Sequence, residues 1–302
     1  MRKAAPEPSD AERALLRAVT YASLFQFPLT PAEARRSLVG LPLSETALMG
    51  LYRRSPFLQQ RLTYREGMFV PAGSDAWIDE RRARAVHSRA LIAAHRGVLN
   101  VICAVPFVRM VAVSGSLAHL NATSDADLDL FIITKGPRVW SVTTAIVILA
   151  KLMGCRKTVC ANFVVSDTDM AFAEQDEFSA NQTIHLRLVI GTDAYRELFD
   201  ANPFVRATYP NADPRETRPW PFTPAPWTAR IRGLLEATLS IPSGAIEVTC
   251  RVVYGWYLRR KLRGWASPDQ VRLTKTQMKL HGNSHRDAIA RRFDAAVRRA
   301  VQ

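Results

Sequence analysis

The chain has 302 residues, 48% of them apolar, enough for two or three packed domains and too many for a small module stapled by disulfides. A net charge of +14 and a pI near 10.2 point to a polyanionic partner, or else to an arginine-rich composition at large. The four cysteines (Cys103, Cys155, Cys160 and Cys250) form no CxxC pair and lie among apolar residues, so they read as buried thiols and not as a disulfide framework or a zinc site.

The opening MRKAAPEPSDAER has no apolar core of the kind a signal peptide needs, and residues 1–10 read as a disordered tail. Residues 11–26 carry Leu15, Leu16, Val19, Ala22 and Leu24 near helical spacing. Phe27-Pro28 ends that helix. Thr30, Pro31 and Glu33 then set a cap, a first position and a third position for a helix over 31–38. Ser44 caps a third helix that exits at Arg53-Arg54, and Leu62–Val70 reads as a hairpin turning at Glu66-Gly67. Three helices followed by a hairpin, over 11–75, resemble a winged helix-turn-helix. Its third helix, 44–54, would be the DNA-reading one, although Glu45, Thr46 and Met49 offer little base-reading chemistry. Residues 76–103 predict one long linking helix, charged in its first half and apolar in its second, with His87 and His95 on its surface.

Val108–Val113 predicts a strand that runs into Gly115-Ser116. A glycine lets backbone approach a ligand, and the following residues can open a short helix whose N–H groups suit phosphate oxygens. A second strand, Asp129–Ile133, is preceded by Asp127. Side chains two apart on a strand share a face, so Asp127 and Asp129 converge. Two adjacent carboxylates resist joint ionisation unless a cation neutralises them, and Mg2+ or Mn2+ suits an oxygen pair. Phosphate donors beside such a pair indicate phosphoryl or nucleotidyl transfer.

Gly115-Ser116, ten intervening residues and Asp127-Leu128-Asp129-Leu130, flanked by two apolar strands, resemble the signature of the DNA polymerase beta superfamily of nucleotidyltransferases. The resemblance implies an α+β fold with a small mixed sheet and helices packed on one side. It implies a nucleoside triphosphate held at Gly115 and Ser116, and metals at Asp127 and Asp129. It also implies an NMP moved to an acceptor with loss of pyrophosphate.

Members of the superfamily mostly place a third carboxylate on a later strand, and here this chain departs. After a buried helix over Val139–Met153, too short for a membrane span, the strand Thr158–Val165 carries no acid. Asn162 is its one strongly polar residue and would lie near the metals. Asp167, Asp169, Asp176 and Glu177 follow. Three outcomes stay open: a displaced acid works, metals and substrate suffice, or catalysis is lost. In the last case the chain is a nucleic-acid-binding or regulatory module on the same fold.

Residues 180–188 and 193–200 predict helices, followed by a surface segment. This region resembles the middle of an uncharacterised bacterial group with an N-terminal winged helix and the same core. That group more often carries His-Glu where this chain has Asn181-Gln182. The stretch 213–228 holds five prolines and reads as an extended linker. Residues 229–302 predict a basic helical region in which Tyr254, Trp256, Tyr257 and Trp265 interleave with Arg259-Arg260-Lys261. The aromatics are expected in the core. The basic residues 251–299 either meet a nucleic acid or other polyanionic acceptor or are simply solvated, and a membrane surface is the least expected partner. With no spanning segment or signal peptide in view, a cytoplasmic protein is expected.

Overall fold

The computed structural model describes residues 7–216, 220–280 and 286–301. Parts of the expected tail, linker and C-terminal region (1–6, 217–219, 281–285 and 302) lie outside the described residues. The first helix starts earlier than the apolar pattern alone suggests. Ser9 caps it, with Glu12 reaching back to the Ser9 amide, so α1 runs Asp10–Ser23 and ordered backbone begins inside the expected tail. α2 (Pro31–Arg36) carries the same reciprocal cap from Thr30 and Glu33, and α3 (Glu45–Arg54) is capped by Ser44. A short α4 (Pro56–Arg61) was not foreseen; Ser55 caps it and Pro56 sits at its first position. The strands β1 (Leu62–Arg65) and β2 (Met68–Pro71) form the expected hairpin, with Glu66 and Gly67 both at positive φ.

The long linking helix is two helices, α5 (Ala76–Ala94) and α6 (Arg96–Cys103), broken at His95. His95 is not a surface residue. One ring nitrogen lies 2.8 Å from the Leu91 carbonyl and the other 2.9 Å from the Thr158 hydroxyl, tying the break to the start of a core strand. His87 is exposed as expected.

Next come β3 (Val108–Val113), the short α7 (Gly115–Ala118), β4 (Leu128–Thr134), α8 (Val139–Leu152) and β5 (Val159–Ser166). They are followed by α9 (Glu177–His185), β6 (Arg187–Ile190), α10 (Thr192–Asp200), α11 (Pro203–Thr208), α12 (Trp227–Leu239) and α13 (Ser243–Leu262). β7 (Val271–Leu273), β8 (Gln277–Leu280) and α14 (Arg286–Val301) complete the described chain. The molecule is α+β, with a six-stranded mixed sheet in the order β6-β3-β4-β5-β8-β7. Only β4 and β5 are parallel.

Strand alternation divides the core in two. Val111, Val113, Leu130 and Ile132 face α6, α8 and α13 through Leu99, Trp140, Ile146 and Leu258. Met110, Ala112, Phe131 and Ile133 face α9, α10 and α11 through Ile184, Leu198 and Val205. The helices therefore cover both faces of the sheet, not one. The expectation failed because the helices foreseen over 180–188 and 193–200 carry no local signal for the face of the sheet they cover.

The C-terminal region is not purely helical. β8 pairs with β5 (Phe163↔Lys279) and β7 with β8, so the chain end completes the core sheet. α14 packs on α1, where Phe293 meets Tyr21 edge-on at 5.1 Å and Arg17 lies 4.7 Å over the Phe293 ring.

Candidate functional site

β3 and β4 are antiparallel neighbours, so the end of one lies beside the start of the other. The Ser114 amide donates to the Asp129 carbonyl at 2.9 Å. The chain then turns through Gly115 at φ +67°, and a Cβ there would lie 2.7 Å from the Asp129 carboxylate. Both facts make any side chain at 115 strained unless Asp129 moves. The glycine turn and the acidic strand, eleven residues apart, form one surface. Ser116 is exposed, and its carbonyl accepts from the Asn121 amide at 3.0 Å, closing the turn behind it. Arg187 of β6 donates to the Ala118 carbonyl at 2.7 Å and holds the short helix against the sheet.

Asp127 is exposed just before β4, and Asp129 is half-buried on it. Burial and the charge of Asp127 push the Asp129 carboxyl up to about 6, against a lowering by Asn162. Among the described residues neither carboxylate has an ion-pair partner. Two oxygen donors with unmatched negative charge suit a hard divalent ion. Among the described residues no group of three His, Cys, Asp or Glu gathers around one point. A pair of carboxylates is a sparse set for Mg2+ by itself, and substrate phosphates commonly complete its coordination.

Asn162 occupies the place where a third acid was sought. β4 and β5 pair Leu130 with Ala161 and then Phe131 with Phe163, so Asn162 is the extra residue of a bulge. Its side-chain amide donates to Asp129 at 2.5 Å. The displaced acids do not reach the pair. Asp167 accepts from the Gly136 amide at 2.8 Å and pairs with Arg109 at 3.3 Å, beyond the far end of β4. Asp169 accepts from the Thr276 hydroxyl at 2.5 Å. Asp176 caps α9, and Glu177 pairs with Arg17 at 2.5 Å.

One neighbour escaped the sequence. Cys160 stands opposite Asp129 in the β4–β5 register, its sulfur 4.0 Å from Asp127. Burial, then the charges of Asp127 and Asp129, push its thiol up to about 11, with Arg156 opposing. It is half-buried, as are Cys155 and Cys250; only Cys103 matches the expectation of a fully buried thiol. Parallel pairing with β5 could have been guessed, but not the register that brings Cys160 level with Asp129.

Two cavities flank the turn. One of about 290 Å³ is bounded by Gly115 and Ser116, by Tyr21 of α1, by Asn181 and Gln182 of α9 and by Phe293 of α14. The other, about 70 Å³, is bounded by Asn162, Phe163, Phe172, Glu174 and Lys279. Ser114 and Gln182 border both. The segment around Asn181-Gln182 thus lies beside the glycine turn. Gln182 is exposed there, while Asn181 is buried with its amide donating to the Tyr209 hydroxyl at 3.2 Å. Comparison of the chain with protein-family models, with curated proteins and with solved structures finds no match.

Proposed function

We propose that the chain is a metal-dependent nucleotidyltransferase of the DNA polymerase beta type, with a winged helix over 11–75. The observation that carries this reading is the seating of Gly115 against the Asp129 carboxylate. It puts a phosphate-sized backbone turn and a metal-suited acid pair side by side. Asp127 and Asp129 would hold Mg2+ or Mn2+, and Gly115 and Ser116 would receive the triphosphate. The metal would neutralise charge on the attacking and leaving oxygens at the α-phosphorus. Asn162 keeps one Asp129 oxygen hydrogen-bonded and so fixes the rotamer of the ligand. The acceptor is a nucleic acid end or another hydroxyl- or phosphate-bearing molecule.

The same Asn162 supports a second reading. An amide is a poor proton acceptor, so a site that binds metal and nucleotide without turning over also agrees with the geometry. That reading makes the chain a nucleotide-responsive binding or regulatory module. Incubation with α-labelled triphosphates and Mg2+ or Mn2+, in the presence of RNA, protein and small-molecule acceptor pools, separates the two. Transfer of label with pyrophosphate release, lost in Asp127→Ala/Asp129→Ala, supports the enzyme. Metal-dependent binding with no transfer to any pool supports the second reading. Binding that ignores both metal and the double substitution defeats both.

A further inference from the structure

α12 and α13 each leave large apolar side chains exposed. On α12, Trp227, Ile231 and Leu234 recur at helical spacing and stay exposed, Leu234 at 62%. On α13, Val248, Val252 and Trp256 form a second exposed stripe, beside the side where Glu247, Gly255 and Leu258 pack inward. Ile241, between the two helices, is 95% exposed. α13 lies on α8, which also exposes Ile148 and Leu152. Large exposed apolar side chains that repeat at helical spacing along two helices mark an interaction surface, since scattered ones would not repeat.

The charges around the face are of one sign. Arg230, Arg259, Arg260, Lys261 and Arg263 are exposed. The stretch 227–263 holds only two acids, and both are turned inward. Glu236 accepts from the Phe107 amide at 2.9 Å, and Glu247 accepts from the Trp140 amide at 2.9 Å. Arg260 stacks 4.2 Å over the Trp256 ring, at the boundary between apolar stripe and cationic end. Of the four aromatics expected in the core, Tyr254 and Trp265 pack against it, whereas Trp256 is 56% exposed and Tyr257 45%.

We propose that this face lies on an anionic lipid bilayer, with Ile241, Leu234, Val252 and Trp256 entering the interface and the cations meeting headgroup phosphates. An aliphatic stripe with interfacial aromatics and a cationic edge is the complement of such a surface. Nucleic acid has no use for exposed Val, Ile and Leu. A symmetric contact with a second copy would offer no acid to the cationic edge. Among the described residues no helix is long and apolar enough to cross a membrane, so the contact is peripheral.

Co-sedimentation of the full chain with phosphatidylcholine vesicles, with and without 30% phosphatidylserine as a working estimate of an anionic leaflet, tests this. Tenfold or greater preference for the anionic vesicles is expected. Val252→Glu/Trp256→Glu should abolish binding at low and moderate salt, and Arg259→Gln/Arg260→Gln/Lys261→Gln should abolish only the preference. Unchanged circular dichroism and melting temperature of both variants show that they fold. No sedimentation with either vesicle overturns the proposal, as does sedimentation that Val252→Glu/Trp256→Glu leaves intact, which is bulk charge attraction. Sedimentation velocity showing a dimer that Val252→Glu/Trp256→Glu dissociates, without vesicle binding, assigns the face to a second copy instead. Oligonucleotide binding lost in the Gln variant, again without vesicle binding, assigns it to nucleic acid.

Discussion

At the scale of residues, Gly115, Asp129 and Asn162 form one object. Gly115 and Gly40 both sit at positive φ, but only at Gly115 would a Cβ meet a carboxylate. Gly40→Ala should cost about 1 kcal/mol of backbone strain and leave nucleotide binding intact. Gly115→Ala should cost about 2–4 kcal/mol and abolish binding, because Asp129 must move. Denaturant melts and nucleotide titrations of both variants check the contrast. Asp129 provides a test in pH. Its pKa is raised to about 6 by burial and by Asp127, so the folded state binds this proton more tightly than the unfolded chain does. The stability it contributes is complete below the ordinary carboxylate pKa of about 4 and is lost as pH rises through about 6. The metal-free protein at pH 7.5 should therefore be stabilised by roughly 1–3 kcal/mol in Asp129→Asn, with little difference near pH 4. A divalent ion with nucleotide should raise the melting temperature of the wild type and not of the variant. Both acids were legible in the sequence because period two puts residues 127 and 129 on one face. The contact of Asn162 with Asp129 was legible only in part, because a bulge and a strand register decide it and neither has a local sequence signal.

At the scale of elements, two carboxylates, buried at Glu247 and half-buried at Glu33, hold neighbours together. Glu247 of α13 accepts from the Trp140 and Ser141 amides at 2.9 and 2.8 Å, serving as a cap for α8 supplied by another helix. Glu247→Ala should cost about 2–4 kcal/mol and loosen α13, measured as faster amide exchange at the start of α8. Glu33 joins α2 to α5 through two 2.9 Å bonds from Arg81. Burial opposes its ionisation, yet the Arg81 charge and bonds, with Thr30, hold it below the usual carboxylate range. A folded-state pKa below the unfolded one means that stability is complete above about pH 4 and falls as pH drops through the lowered value. Glu33→Gln should lose about 2–4 kcal/mol at pH 7 and show a correspondingly shallower acid transition, read by denaturant melts across pH. The cap at Thr30-Pro31-Glu33 was plain in the sequence, being local. The Glu247 cap was not, since its partners are about a hundred residues away.

At the scale of the molecule, the chain closes on itself. β8 joins the core sheet beside β5, and α14 packs on α1. The 290 Å³ cavity beside Gly115 is walled by both ends of the chain, through Tyr21 and Phe293. Helix periods and turn residues revealed most of the elements before 170. They could not reveal that a basic, helix-rich tail returns two short strands to the sheet, because three and four residues carry no period and the pairing is long-range. In the proposed reading, a pair with no third carboxylate among the described residues would need phosphate oxygens to complete a metal, so metal and nucleotide should bind together or not at all. The direct test is calorimetric titration of each nucleoside triphosphate, with Mg2+ and with a chelator, into the wild type and into Asp127→Asn/Asp129→Asn. At least one triphosphate should bind the wild type with Mg2+, with affinity falling at least tenfold with the chelator and in the variant. Binding of equal strength in all of these conditions, or none with any triphosphate, contradicts the proposed reading.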